Sequence, residues 1–155
     1  MGVALVGAAQ ELWKLGAHER VQRGTPIVLV ADVVNGALES RYSALRVPAA
    51  AGGYTVTAGT TLFITRLIFS ASVLNATWLV GSGTADAGDS QVAAPAGAAS
   101  EDSRADGVAN ALVCQAALAV SDFDVFITVA TARLPFIRNM LASSTLRVMA
   151  LGVEA

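Results

Sequence analysis

The side chains able to do chemistry are few, and their spacing suits none of the common reactions. The single histidine, His18, has no cysteine or second histidine beside it, whereas a structural zinc site takes four Cys or His ligands at short spacings. A histidine-based triad would require His18, ahead of the strand-like text, to swing onto a nucleophile mounted in the core. The lone Cys114 lies among Leu112, Val113, Ala116 and Ala117, an apolar setting that keeps a thiol protonated and structural. With one cysteine, no disulfide can form within the chain.

Carboxylates do gather, as Asp86, Asp89, Glu101, Asp102 and Asp106, on the Gly- and Ala-rich kind of loop that calcium uses. They lack the Asp-x-Asp-x-Asp-Gly order and the terminal Glu of a calcium loop, so a solvated acidic loop is the reading. A carboxylate pair for glycoside hydrolysis would need an aromatic-lined groove, and the chain has two Trp and two Tyr, with Trp13 far from the others. Gly81-Ser82-Gly83 follows a strand-like run, but a polar loop comes next, so neither phosphate-cradling glycine motif has its helix. The expectation is therefore no catalytic residue, no metal and no cofactor, in a structural protein and not an enzyme.

Composition narrows the class. A chain of 155 residues suits one domain with one core. A net charge of −2, with arginines scattered singly, argues against nucleic acid as a partner, which calls for clustered Lys and Arg. The apolar fraction is 54% and the charged fraction 14%, too few charges to cover a monomer, which implies burial against other chains unless Ala and Gly merely inflate the count. Residues 62–80 are apolar enough to suggest a membrane span. Arg66 and Asn75 interrupt them, however, and their Val, Ile, Thr and Ser suit a sheet, so no membrane segment is expected. The first residues lack the basic flank and apolar core of a secretory leader, and Val6 stands where a myristoylation signal wants Ser or Thr.

Residues 1–24 read as an N-terminal arm whose Leu12, Trp13 and Leu15 gain order only against a partner. Residues 25–155 read as one β domain. Pro26–Val30 is strand-like, and Asn35-Gly36 signals a two-residue hairpin into Ala37–Tyr42. Residues 44–53, with Pro48, form a connection. Tyr54 and Val56 lead into an Ala58-Gly59-Thr60 turn, and Leu62–Phe69 and Thr77–Val80 follow as hairpin-connected strands. Strict alternation puts Leu62, Ile64, Arg66 and Ile68 on one face of the first of these, with Arg66 reaching solvent at the rim. Phe63, Leu67 and Phe69 fall on the other, making a two-faced strand suited to a subunit contact.

Residues 81–107 read as one long surface loop, external or partner-facing. The stretch 108–120 balances helix against strand and leans to strand. Asp122-Phe123-Asp124 reads as a turn, Val125–Thr131 as a strand, residues 133–140 as irregular around Pro135, and Leu146–Leu151 as the last strand. Eight or so short strands with regular turn signals predict an all-β antiparallel jelly-roll or β-sandwich.

Tyr54-Thr55-Val56-Thr57-Ala58-Gly59-Thr60-Thr61-Leu62-Phe63-Ile64-Thr65 resembles the Y-T-V-P-A-G-K-T-L-Y-I-T phrase of small virion proteins of tailed bacteriophages, with Thr57 and Thr60 replacing Pro and Lys. Ser70–Ala76 is similar to the S-S-x-x-x-A turn that follows it there, Thr145–Glu154 to their last strand, and Pro26–Leu38 to their first hairpin. The resemblance spans about residues 25–83 and 125–155. It implies a jelly-roll capsid decoration, or cement, protein: a homotrimer on the outer capsid surface that bridges major capsid protein subunits, with the Leu12, Trp13 and Leu15 arm and the Phe63, Leu67 and Phe69 face as contacts. Tail and adsorption proteins share the phrase and are the alternative. A carbohydrate-binding sandwich, with Trp78 and Tyr54 as its platform, is a further one.

Overall fold

The closing strand shows the principle on which the domain is built. In Thr145–Glu154, Leu146, Val148, Ala150 and Gly152 are buried, while Arg147 and Met149 point to solvent, the period of two expected where one sheet face is covered. A computed structural model of the chain describes residues 16–73, 76–86, 88–98, 112–114 and 118–155. These hold one helix, α1 over 16–23, and strands β1 (Thr25–Val34), β2 (Arg41–Ala44), β3 (Leu62–Ala71), β4 (Ala76–Gly83), β5 (Leu112–Cys114), β6 (Leu118–Val129), β7 (Leu134–Asn139) and β8 (Thr145–Glu154).

The strands form two antiparallel four-stranded sheets in the orders β1-β8-β3-β6 and β2-β7-β4-β5. Leu29, Ala31 and Val33 of β1, Leu62, Ile64, Leu67 and Phe69 of β3, Trp78 and Val80 of β4, Ile137 of β7, and Leu146, Val148 and Ala150 of β8 share one buried core. Every connection passes from one sheet to the other except that from β4 to β5. The all-β expectation thus holds, as two antiparallel sheets on a shared core.

Local pairing differs from the sequence reading in several places. The Asn35-Gly36 hairpin does not form: β1 pairs with β8, and β2 pairs with β7 in the other sheet. Asn35 is instead seized by the β7–β8 turn. Its side-chain amide donates to the carbonyls of Asn139 and Leu141, both at 2.8 Å, and its own N–H donates to Ser144 O. The Ala58-Gly59 turn does form, with Gly59 at φ +85° and Thr60 N–H donating to Thr57 O. However, Tyr54–Thr57 bonds to Leu45, Ala132 and Arg133 instead of to β3, so β3 is no hairpin partner of it. Likewise β3 and β4 lie in different sheets.

A β-bulge breaks the alternation of β3. Ile64 faces Gly152 and Arg66 faces Leu151, so two steps along β3 match one along β8. Leu62 and Ile64 therefore share the core with Leu67, Phe69 and Ala71, while Phe63 and Ile68 face outward. Arg66, at the bulge, reaches solvent as expected.

Asp122-Phe123-Asp124 is no turn between strands. It lies inside β6, where the partner of β3 jumps from Ile127 to Asp122 and leaves residues 123–126 unpaired with that strand. Residues 134–139 are not irregular but form β7, central in its sheet. Pro135 is tolerated near its start, where its carbonyl accepts from Leu45 N–H at 2.9 Å. The described parts of 108–120 are strand.

Candidate functional site

Four features outside the core could serve function. The first is the turn that carries the sequence resemblance. The carboxylate of Glu154, at the end of β8, accepts hydrogen bonds from Thr57 N–H at 2.7 Å, from the Thr60 hydroxyl and from the Tyr54 hydroxyl. Thr131 Oγ1 adds a brace, accepting from Gly59 N–H at 2.9 Å and donating to Thr57 O at 3.0 Å. One glutamate thereby fastens residues 54–60 to the closing strand.

The second is the stretch 84–98, part of the 81–107 segment expected as a long surface loop, external or partner-facing, and mostly exposed in its described residues. Gly81–Gly83 belong to β4, and further along the chain Ala98 packs on Tyr42 of β2 and Phe136 of β7. A side chain at Gly81 would run into the Phe136 ring, and one at Gly83 would sit 2.8 Å from Pro95 Cβ. These glycines make room for an aromatic ring and a proline, which explains Gly81-Ser82-Gly83 without any phosphate. Gln91 exchanges both backbone hydrogen bonds with Tyr42, at 2.7 Å each, and so caps the exposed edge of β2.

Three arginines staple this stretch. Arg133 donates to Ser82 Oγ and Ser82 O, both at 2.9 Å, and to Gly97 O at 2.8 Å. Arg41 donates to Ser90 O at 2.8 Å and pairs with Glu39, and Arg46 pairs with Asp89. The hydrogen bond from Arg41 holds the Glu39 carboxyl below the ordinary glutamate range. Asp86 accepts from Gly53 N–H at 2.7 Å and Gly88 N–H at 2.8 Å. Asp86 and Asp89 thus work as structural acceptors, and among the described residues no three metal-binding side chains gather. Glu101, Asp102 and Asp106 lie outside the described residues.

The third is a buried polar knot where β1 and β7 leave their sheets. Asn139 is fully buried, its amide donating to Ser144 Oγ at 2.9 Å and its Oδ1 accepting from Leu141 N–H at 3.2 Å. Ser144 Oγ donates to Leu141 O at 2.6 Å. The knot fixes the crossing between sheets.

The fourth is the outer face of the β1-β8-β3-β6 sheet. At one end α1 crosses it, with Ala17 and Val21 packed on Phe63 and Ala155. Arg20 lies 5.0 Å over the Phe63 ring and donates to Ala155 O at 2.6 Å. Beyond the helix the face carries apolar side chains of β1, β8 and β3 beside charged ones, Asp32, Arg66 and Arg147. Register aligns Val28 with Leu151, and Val30 with Met149 and Ile68, and Val28 and Met149 are 41% and 42% exposed. Asp32 and Arg147 close the row, 3.4 Å apart. A shallow groove of about 330 Å³ runs between Val30, Ile68 and Met149 on one side and Asp32, Arg46, Ser70 and Arg147 on the other.

The structure disperses the residues singled out from sequence. Leu67 and Phe69 point into the core, Phe69 meeting Trp78 edge to face at 5.0 Å, and Phe63 is covered by α1. None of the three offers area to a second copy, because the bulge turned two of them inward and the helix took the third. The exposed apolar face lies instead on Val28, Val30, Ile68 and Met149, which strict alternation through Arg66 obscured. Trp78 is 1% exposed and so is no sugar platform, and Tyr54 is tied to Glu154. His18 is exposed on α1. Part of the expected arm, 16–24, is docked on the domain; Leu12, Trp13 and Leu15 lie outside the described residues. Among the described residues no helix is long and apolar enough to cross a membrane. No family model, no curated protein and no solved structure matches the chain.

Proposed function

We propose that the chain is a structural virion protein of a tailed bacteriophage: a jelly-roll capsid decoration protein that sits as a homotrimer on the outside of the head and bridges major capsid protein subunits. The observation that carries this reading is the strand pairing. The pairs β1·β8, β2·β7, β3·β6 and β4·β5 are those of one antiparallel ribbon, strands one to four against strands five to eight, wound around a core. That pairing supports our reading of the two sheets as a jelly roll, an architecture shared by viral capsid domains, lectins and cupins. Leu29, Leu62, Leu67, Trp78 and Ile137 fill the space where a cupin would hold its ligand, and the burial of Trp78 weakens the lectin use.

The phage-like sequence phrase supports the same reading through geometry. Its two separate pieces, 54–65 and 145–154, meet in space where Glu154 fastens the Tyr54–Thr60 turn. Bound copies would stabilise a head by mass action, with many modest contacts adding through multivalency. The segment before Gly16, with Leu12, Trp13 and Leu15, supplies the contact to the shell.

The test mixes purified chain with undecorated heads assembled from the major capsid protein of the same genome. Co-sedimentation, density on the outer surface by electron microscopy and a raised head-disruption temperature are expected, with binding weakened on deletion of residues 2–15. Heads that bind none of the chain, or density confined to the tail of intact particles, would overturn the proposal.

A further inference from the structure

We propose that Asn35-Gly36 is a deamidation site whose chemistry the native fold holds off, so that a chain which opens there is converted to a form that cannot close again. In an open chain the Gly36 backbone nitrogen attacks Asn35 Cγ and gives its proton to solvent, while the side-chain nitrogen leaves as ammonia and a cyclic imide closes. Water then opens the imide at either carbonyl, to aspartate or to isoaspartate, whose backbone runs on through Cβ. One water is consumed and one ammonia released, with no change of oxidation state. Of the chain's asparagines, Asn35 alone is followed by glycine, which has no Cβ to shield the attacking nitrogen.

The fold blocks each part of that reaction. The Asn35 side chain is buried, and its amide is engaged with Asn139 O and Leu141 O at 2.8 Å each, which fixes the group that must turn toward Gly36. The attacking nitrogen itself donates to Glu39 Oε2 at 3.2 Å, and Gly36 O accepts from Ser143 N–H at 2.9 Å. Asn35 Oδ1, where negative charge gathers during the attack, is closed off from solvent and meets no donor among the described residues. Apart from the bond to Glu39, these ties all run to residues 139–143 at the β7–β8 turn, so lifting that turn is what opens the site.

The product no longer fits. Aspartate sets a carboxylate oxygen where the amide nitrogen lay 2.8 Å from two carbonyl oxygens, a buried charge facing acceptors. Isoaspartate adds a methylene to the backbone just past Val34, which is paired with Thr145. Deamidation therefore runs one way and marks chains that have opened.

The test holds the full chain at mildly alkaline pH, folded in buffer or unfolded in guanidinium chloride, and reads the mass of the tryptic peptide 24–41. The unfolded chain is expected to convert Asn35 to acid roughly a hundredfold faster or more, since the folded chain reacts only through its rare open state. On return to buffer, the fraction that fails to refold should match the fraction deamidated. Gly36→Ala hinders the attack, and its added Cβ meets only the end of the Glu39 side chain, so this variant aged in the same way should keep its capacity to refold. Asn35→Asp made directly should lower the urea midpoint or prevent folding. Comparable rates in the two states, aged Gly36→Ala losing refolding as fast as the parent, or Asn35→Asp with the parent's midpoint would each overturn the proposal. None of these measurements involves a capsid, so their failure is separate from failure of the virion reading.

Discussion

Replacing Glu154 tests whether a single carboxylate fastens the 54–60 turn to the closing strand. Glu154→Ala removes the acceptor for Thr57 N–H, the Thr60 hydroxyl and the Tyr54 hydroxyl. Hydrogen bonds to a charged group contribute about 1.5–3 kcal/mol each when shielded, which would sum to more than 4 kcal/mol. The carboxylate is only half-buried and Thr57 is exposed, so water replaces part of the loss and about 2–3 kcal/mol is expected. For a domain of this size that lowers Tm by roughly 4–12 °C. Glu154→Gln keeps an acceptor for Thr57 and Thr60 and loses only charge assistance, so it should cost about 1 kcal/mol or less. Tyr54→Phe removes one bond, about 1 kcal/mol. Combined with Glu154→Ala it should add almost nothing, because its partner is already gone. Urea unfolding with an unchanged m-value is the assay. Glu154→Ala within about 0.5 kcal/mol of the parent, or full additivity with Tyr54→Phe, would refute the fastening.

Trp78→Ala should destabilise by about 3–5 kcal/mol, because it empties the space against Phe69; a loss under 1 kcal/mol in urea unfolding would contradict its core position. Arg133→Ala cuts three bonds to Ser82 and Gly97, so limited proteolysis within 84–98 should accelerate well before global unfolding, and unchanged cleavage would show that the arginine is no staple. Gly59→Ala forces a side chain into the left-handed region at φ +85° with no steric clash around it, so a loss of about 1 kcal/mol is expected by the same assay. Glu39 should titrate below the ordinary glutamate value because Arg41 hydrogen-bonds its charged form. Its contribution is present above that ordinary value and fades as pH falls through the lower folded value. Arg41→Ala should return the titration, read by NMR, to the ordinary range.

Class and punctuation were legible from residues alone. The β-branched and aromatic runs, the Gly59 turn and the inward-outward alternation of 145–151 are all local signals, and each survived in the fold. Partnership between strands was not legible. Asn35-Gly36 has the chemistry of a tight hairpin, yet β1 gains more by burying Leu29, Ala31 and Val33 beside β8, and the amide of Asn35 finds its acceptors on a turn about a hundred residues away.

The candidate site suffered most from one extra residue. A bulge between Ile64 and Arg66 carries no residue-type signature, but it exchanges the faces of everything after it, sending Leu67 and Phe69 inward and Ile68 out. In the same way the scattered arginines gave no hint that Arg41, Arg46 and Arg133 converge on 84–98, because they are brought together by pairing and not by spacing. The sequence by itself determined that this is a β protein, with a turn at Gly59 and an apolar excess to cover. Only the tertiary structure decided which strands pair, which face is closed and which is left open. Side-chain alternation is a property of one strand, whereas register and burial belong to the sheets that several distant strands build together.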